Sequence, residues 1–288
     1  MDFEPLSQGV IDAAPDWMRA IPLRADGWRD ENTRSVLATE AGAPVAVGMI
    51  WTSRVHGDRY WFEIAVDPAF RMRGHARDMF SHLSSLRAVD IPFMARGYAN
   101  EDRMMFLRAL GARTIQIVPP AHIDVAARSS LRPHPAVQSG ASAGWADVRA
   151  ANADVYEWTH ASWSPVGEGF ASPLNEGLED DLDLEATSVA VVKGRIVANC
   201  MVYRDSLPPI VTAETTQADC PDGERLVEGC VRRSLDVLAA RGVERAEFDG
   251  HVTDPHFLPV WTRLAPTGGW FHLVEVDAAD SAAATHHG

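Results

Sequence analysis

Apolar residues fall in short blocks of strand length, set between turn-forming residues, along most of this chain. In the first half, residues 35–39 and 45–51 flank the turn Glu40-Ala41-Gly42-Ala43-Pro44, and residues 60–66 form a third block rich in aromatic and β-branched side chains. After Gly74 the period changes to that of a helix, with Met79, Leu83 and Leu86 on one face. A further strand spans 91–97, and a short helix over 104–110 is closed by Gly111. The second half repeats this order: a helical pattern from Trp145, strands at 188–192, 196–203 and 210–216, a long amphipathic helix over 224–240, a strand at 246–248 and a short helix over 255–264. The match is element by element, which is the mark of a duplicated fold and not of a short-repeat array. Between the halves, residues 117–144 carry Pro119, Pro120, Pro133 and Pro135 and a Ser/Gly/Ala run, and read as a linker. The pattern therefore predicts two domains, 1–130 and 131–288, with a disordered tail from Ala278.

The junction between the block 60–66 and the helix after it carries chemistry. It reads Val66-Asp67-Pro68-Ala69-Phe70-Arg71-Met72-Arg73-Gly74-His75-Ala76. A strand, a short Arg/Gly turn and a helix start offer unpaired N–H groups and a positive dipole end to an anion such as a pyrophosphate. Gly74 permits close backbone approach, and Arg71 and Arg73 supply charge. The same residues also suit an ordinary strand–turn–helix corner with exposed arginines.

This junction resembles the acyl-CoA-binding motif of the GNAT superfamily of N-acetyltransferases, in which a strand ending in Val-x-Pro leads to Arg/Gln-x-x-Gly-x-Gly/Ala; here the last part reads Arg71-x-x-Gly74-x-Ala76. The resemblance extends over residues 20–120 and includes Asn100, followed by a short helix and Gly111-Ala112. It implies that Val66, Arg71, Met72, Arg73, Gly74, His75, Ala76 and Asn100 hold acetyl-CoA or another acyl-CoA as co-substrate. It further implies a bulge in the fourth strand that turns a backbone N–H, at Val66 or Ala65, onto the thioester carbonyl. Glu63 is the nearest carboxylate for a general base, or else a solvated strand residue. Asp67 reads as a cap. Tyr60, His56, Asp58 and Tyr98 are candidates for the acceptor side. The family commonly places a Tyr seven residues after the Asn to protonate the leaving sulfur, and that position is Leu107 here. Arg103, one turn earlier, is open to two readings, a partner on the phosphate or sulfur side or a surface arginine, and the second is favoured.

The second half departs from the motif at the same point. Asp219-Cys220-Pro221-Asp222-Gly223-Glu224-Arg225 puts carboxylates where the phosphates would lie, which suits a capped helix and repels a pyrophosphate. The expectation is that this half binds no acyl-CoA and supplies packing or part of the acceptor site. The layout is similar to that of the tandem GNAT proteins, mycothiol synthase among them, in which the C-terminal unit carries the chemistry; here the intact motif is N-terminal.

Composition narrows the partners. The 288 residues suit two domains, and no apolar run reaches membrane-spanning length. A net charge of −14 with no basic stripe argues against nucleic acid and is compatible with a cationic substrate. Cys200, Cys220 and Cys230 have no metal-ligand or redox spacing, which fits a reducing compartment. Asp249, His251, Asp254 and His256 lie close in sequence but read as loop residues, not a metal site. The aromatic segment 156–165 is either a roof over an acceptor pocket or a helix end packed into the core. The resulting expectation is a cytoplasmic protein, monomer or homodimer, of the α/β class: two fused GNAT-like domains, each a twisted, mixed, mostly antiparallel sheet flanked by helices. Its expected activity is acyl-CoA-dependent N-acetylation of a small amine by direct transfer in a ternary complex, without metal, nucleic acid or membrane. The alternatives are a non-catalytic CoA-binding or sensing protein, and divergent acyl-CoA chemistry such as decarboxylation or O-acyl transfer.

Overall fold

The computed structural model describes residues 1–277; the tail expected from Ala278 lies outside them. Thirteen strands and nine α-helices are present among the described residues, arranged on two sheets. The chain divides into two compact units: residues 1–115 together with the stretch from Leu273 onward, and residues 116–272. The class and the duplicated α/β architecture are those the sequence pattern predicts.

In the first unit, β1 (Asp2–Pro5), β2 (Arg34–Glu40), β3 (Ala43–Thr52) and β4 (Tyr60–Val66) pair antiparallel in chain order. The short helix α1 (Gln8–Asp12) follows β1. After β4 come α2 (His75–Ser85), β5 (Phe93–Tyr98), α3 (Asp102–Ala109) and β6 (Arg113–Val118). The sheet is completed from the far end of the chain: the last strand, β13 (Phe271–Val276), lies between β5 and β6. A linear division at 130/131 does not include this return, which the sequence pattern gave no reason to place there. Val274 and Val276 join the core formed by Ile50, Tyr60 and Phe62 of the sheet, Met79, Phe80 and Leu83 of α2, and Met104 and Leu107 of α3. Between them Glu275, 3% exposed, is paired with both Arg59 and Arg113. The opposite face of the sheet, with Val47, Met49 and Ala65, packs on Leu6, Met18 and Ile21.

In the second unit the segment expected as a linker is structured. It contains β7 (His122–Asp124), β8 (Val137–Ser139) and the one-turn helix α4 (Gly140–Ala143), and β7 and β8 form the two edges of a six-stranded sheet. Three-residue strands show no readable period, and prolines are tolerated beside edge strands. Helix α5 (Trp145–His160) and the short α6 (Ala171–Leu174) and α7 (Leu178–Asp181) precede β9 (Ser188–Val192), β10 (Arg195–Tyr203) and β11 (Ile210–Thr215). Then follow α8 (Gly223–Ala240), β12 (Arg245–Asp249) and α9 (Phe257–Leu264). The core lies between the sheet and α8, with Cys200, Cys230, Val211, Phe248 and Phe257 buried in it. Burial pushes the Cys200 thiol up to about 12 and the Cys230 thiol well above its ordinary value, as for inert core cysteines.

Candidate functional site

Each sheet has a place where two parallel neighbours part. In the first unit, β4 pairs with β5 only at Tyr60/Phe93 and Trp61/Met94, after which the strands separate. Tyr60 N–H bonds to Pro92 O on the β5 side, whereas Asp67 N–H bonds back to Val45 O of β3. Because successive residues alternate direction, Phe62 N–H is the last to face paired β5, and the N–H groups of Ile64 and Val66 point to the side from which β5 has withdrawn. The bulge expected in β4 is not there: its register with β3 runs unbroken from Ala46/Val66 to Thr52/Tyr60. Divergence of β5, and not irregularity of β4, is what turns the Val66 N–H toward the gap.

The end of β4 leads into the Arg/Gly turn. Asp67 accepts from Ala69 N–H at 2.8 Å and starts a single 3-10 turn over Pro68–Phe70. Met72 (φ 62°) and Gly74 (φ 93°) both adopt left-handed conformations, which bend the backbone into α2. No side chain caps that helix, and Arg77 N–H already bonds Gly74 O, so the N–H groups of residues 74–76 face outward. Arg71, Met72 and Arg73 are exposed, with the Arg73 guanidinium 5.1 Å from the Phe70 ring centre. A run of outward-facing amides with two adjacent guanidiniums has the chemistry to receive an anion. His75 contributes only backbone to it: its ring is buried, lies against Phe70, and places Nε2 3.8 Å from Glu40. Asn100 is exposed in the turn between β5 and α3.

Glu63 lies on the face of β4 opposite α2 and α3, in line with Trp61, which stacks with Trp51 at 6.4 Å and carries the Arg96 guanidinium over its ring. Arg103 comes from α3, on the other side of the sheet. Its Nη1 is 2.8 Å from Glu63 Oε2, and its Nη2 bonds Phe62 O at 3.3 Å. A side chain rooted on one face therefore pairs with a carboxylate on the other, and it passes through the gap between β4 and β5. Sequence reasoning favoured a surface arginine over a partner on the phosphate or sulfur side; the signal for the second was its position one helical turn before Leu107, on the same face. Leu107 is fully buried, and Tyr60 is too, with its hydroxyl on Asn32. Asp58 is paired with Arg59. Of the tyrosines proposed for the acceptor side, Tyr98 is the exposed one.

The second unit has the corresponding parting, where β11 pairs with β12 from Ile210/Glu247 to Thr212/Asp249 and then separates. Here the gap is filled by the chain itself. Asp254, fully buried, accepts from Thr215 N–H at 2.7 Å, from Thr215 Oγ1 at 3.1 Å and from His256 N–H at 2.8 Å. Burial raises the Asp254 pKa against the opposing effect of these bonds. At the head of α8 a Cβ on Gly223 would lie 2.7 Å from the His256 ring, so the imidazole rests directly on the helix start. A cavity of about 490 Å³ adjoins it, but its Arg263 is paired with Glu224 and Glu228, and Glu228 also accepts from Arg132 N–H. Glu214 of β11 is bonded to both the backbone N–H and Nδ1 of His251, over which Tyr156, His160 and Trp163 gather, the His160 and His251 ring centres being 4.4 Å apart. Burial pushes the Tyr156 hydroxyl up to about 12. The sequence segments 156–165 and 249–256, read as separate, thus form one cluster. Among the described residues no group of three or more His, Cys, Asp or Glu is placed to hold a metal ion, and no helix is long and apolar enough to cross a membrane.

No family profile and no curated protein matches the chain. Solved structures do. A tandem GNAT protein from the clavulanic acid biosynthesis pathway, solved without acetyl-CoA, is 14% identical over 96% of this chain and 98% of that chain, with a TM-score of 0.58. A GCN5-related N-acetyltransferase from Sphaerobacter thermophilus is 15% identical over 93% and 85%, with a TM-score of 0.56. The Saccharomyces cerevisiae N-myristoyltransferase with bound myristoyl-CoA is 8% identical over 96% and 82%, at 0.53. The chain has the tandem GNAT fold. That fold is shared by acyltransferases, and at these identities it is the fold alone that is common.

Proposed function

We propose that the protein is an acyl-CoA-dependent N-acyltransferase, with acetyl-CoA the expected donor, that acts on a small amine and holds its donor in the first unit. The observation that carries this reading is the uncapped head of α2, with Gly74 left-handed and Arg71 and Arg73 exposed, set at the end of a strand whose next neighbour has parted from it. The pyrophosphate sits on residues 71–76, and the pantetheine arm runs as an added strand along the open edge of β4. Val66 N–H and its neighbours on that edge offer donors to the arm and to the thioester oxygen. Asn100 lies in the turn at the mouth of the gap.

Transfer is direct. The neutral amine attacks the thioester carbon, the C–N bond forms, and the carbonyl oxygen gains charge. Glu63 accepts the proton from the resulting ammonium, directly or through water, and the C–S bond breaks. The acceptor lies on the Glu63 face, against the Trp51 and Trp61 rings, an environment suited to an amine with an apolar body. The second unit takes no acyl-CoA, because Asp254 occupies its gap and His256 its helix head.

Calorimetric titration with acetyl-CoA tests this. One site per chain is expected, abolished by Arg73→Glu and by Gly74→Asp. Two sites would show that the second unit is open, and no binding would remove the donor assignment. The buried Leu107 favours the alternative of a CoA sensor without turnover; release of CoA with a panel of small amines excludes that alternative.

A further inference from the structure

The acid that should meet the departing sulfur is missing from its expected place, since Leu107 is enclosed in the core. Yet the gap through which the thioester must pass is occupied by a cation. Arg103 crosses it, anchored by Glu63 at 2.8 Å and by Phe62 O at 3.3 Å. An arm that pairs along the open edge of β4 from Val66 reaches Phe62 after ~13 Å, at roughly 3.3 Å per residue. The reactive end of the donor is thereby delivered to the residue whose carbonyl Arg103 touches.

We propose that Arg103 replaces a proton donor with a fixed positive charge: its guanidinium, held in the gap by Glu63 and Phe62, stabilises the CoA thiolate as it leaves. This rests on the assignment of the first unit as the donor site. The balance closes without an acid. The amine nitrogen forms the new C–N bond, its proton passes to Glu63 and then to solvent, and the electron pair of the broken C–S bond stays on sulfur as a thiolate paired with Arg103. Free CoA, an alkyl thiol, takes up a proton after release according to the pH. A guanidinium cannot lose its charge in the working range, so the stabilisation persists wherever the enzyme is folded.

The test needs no knowledge of the acceptor. CoA itself is bound to the full-length protein, and its thiol is titrated by the ultraviolet absorbance of the thiolate. An opposite charge within hydrogen-bond reach lowers such a pKa by about one to three units, so CoA bound to the wild-type protein is expected to show a thiolate-to-thiol ratio at least about tenfold that of free CoA at the same pH. Arg103→Gln should return the bound thiol to the behaviour of free CoA, and Arg103→Lys should retain part of the shift. The wild-type measurement and the Lys variant keep the test valid should Arg103→Gln fail to fold. CoA that binds wild type and Arg103→Gln alike, with the same thiol titration in both, overturns the role of Arg103 and leaves the donor site standing. Failure of CoA to bind wild type overturns the donor site and this inference with it.

Discussion

Gly74 and Gly223 stand at the heads of α2 and α8, and they are glycine for different reasons. At Gly74 the space around a Cβ is open, but the backbone φ of 93° is one that other residues resist. At Gly223 the constraint is contact: the His256 ring is 2.7 Å from where a Cβ would be, and that ring is pinned by Nδ1 to Asp254 at 2.9 Å. Gly223→Ala should therefore destabilise the protein by about 1–3 kcal/mol in denaturant titration, as overpacking does. Removal of the ring as well, in Gly223→Ala with His256→Ala, should recover part of that loss beyond the sum of the single effects. Strict additivity would mean that the two residues do not press on one another.

At the scale of elements, the pair of strands β11 and β12 is sealed by a charged cluster whose behaviour with pH follows from its partners. Burial by itself would lower the His251 pKa, but Glu214, as neighbouring charge and as hydrogen-bond acceptor, with Asp249 and Asp254 beyond it, raises it above its ordinary value. The folded protein holds this proton more tightly than the unfolded chain does. The stabilisation is complete below about pH 6.5, the unfolded value, and is lost as pH rises through the higher folded value. Asp249 and Asp254, both raised by burial, act with the same sign in the acid range, since the folded state also holds their protons more tightly. As the pH rises above about 6.5, the melting temperature of the wild type should fall more steeply than that of His251→Gln. Parallel slopes would count against this account.

Elements with at least one full period were legible in the sequence, and so was the turn at residues 66–76, because its residue types are dictated by local backbone and charge. What escaped was whatever depends on a distant partner. The edge strands β7 and β8 are too short for any pattern. Arg103 looks like any helix-surface arginine until β5 is seen to leave β4, and His251 looks like a loop residue until Glu214 is found beside it, 37 positions away.

For the whole molecule, the decisive departure from a linear reading is β13. Its residues Val274 and Val276 are buried in the first core, and Glu275 pairs with Arg59 and Arg113 at once. Arg113 is exposed and can be rehydrated, but Arg59 is largely buried, and removing one partner of a buried pair typically costs about 3–5 kcal/mol. A chain stopped at Gly269 should therefore lose both cooperative folding of the first unit and acetyl-CoA binding, and a synthetic peptide of residues 270–277 added in trans should restore some of each. Unchanged acetyl-CoA affinity in the shortened chain would show β13 to be dispensable.

The position of β13 also sets an order of events during synthesis. Domains made from a continuous stretch complete themselves as they leave the ribosome, amino end first. Here the unit that emerges first lacks a central strand until residues 271–276 have been translated some 150 positions later, so the second unit can mature while the first is still waiting. A polypeptide interrupted anywhere before that point carries an open sheet in its first unit. Such a product exposes unpaired strand edges and is recognisable to proteases.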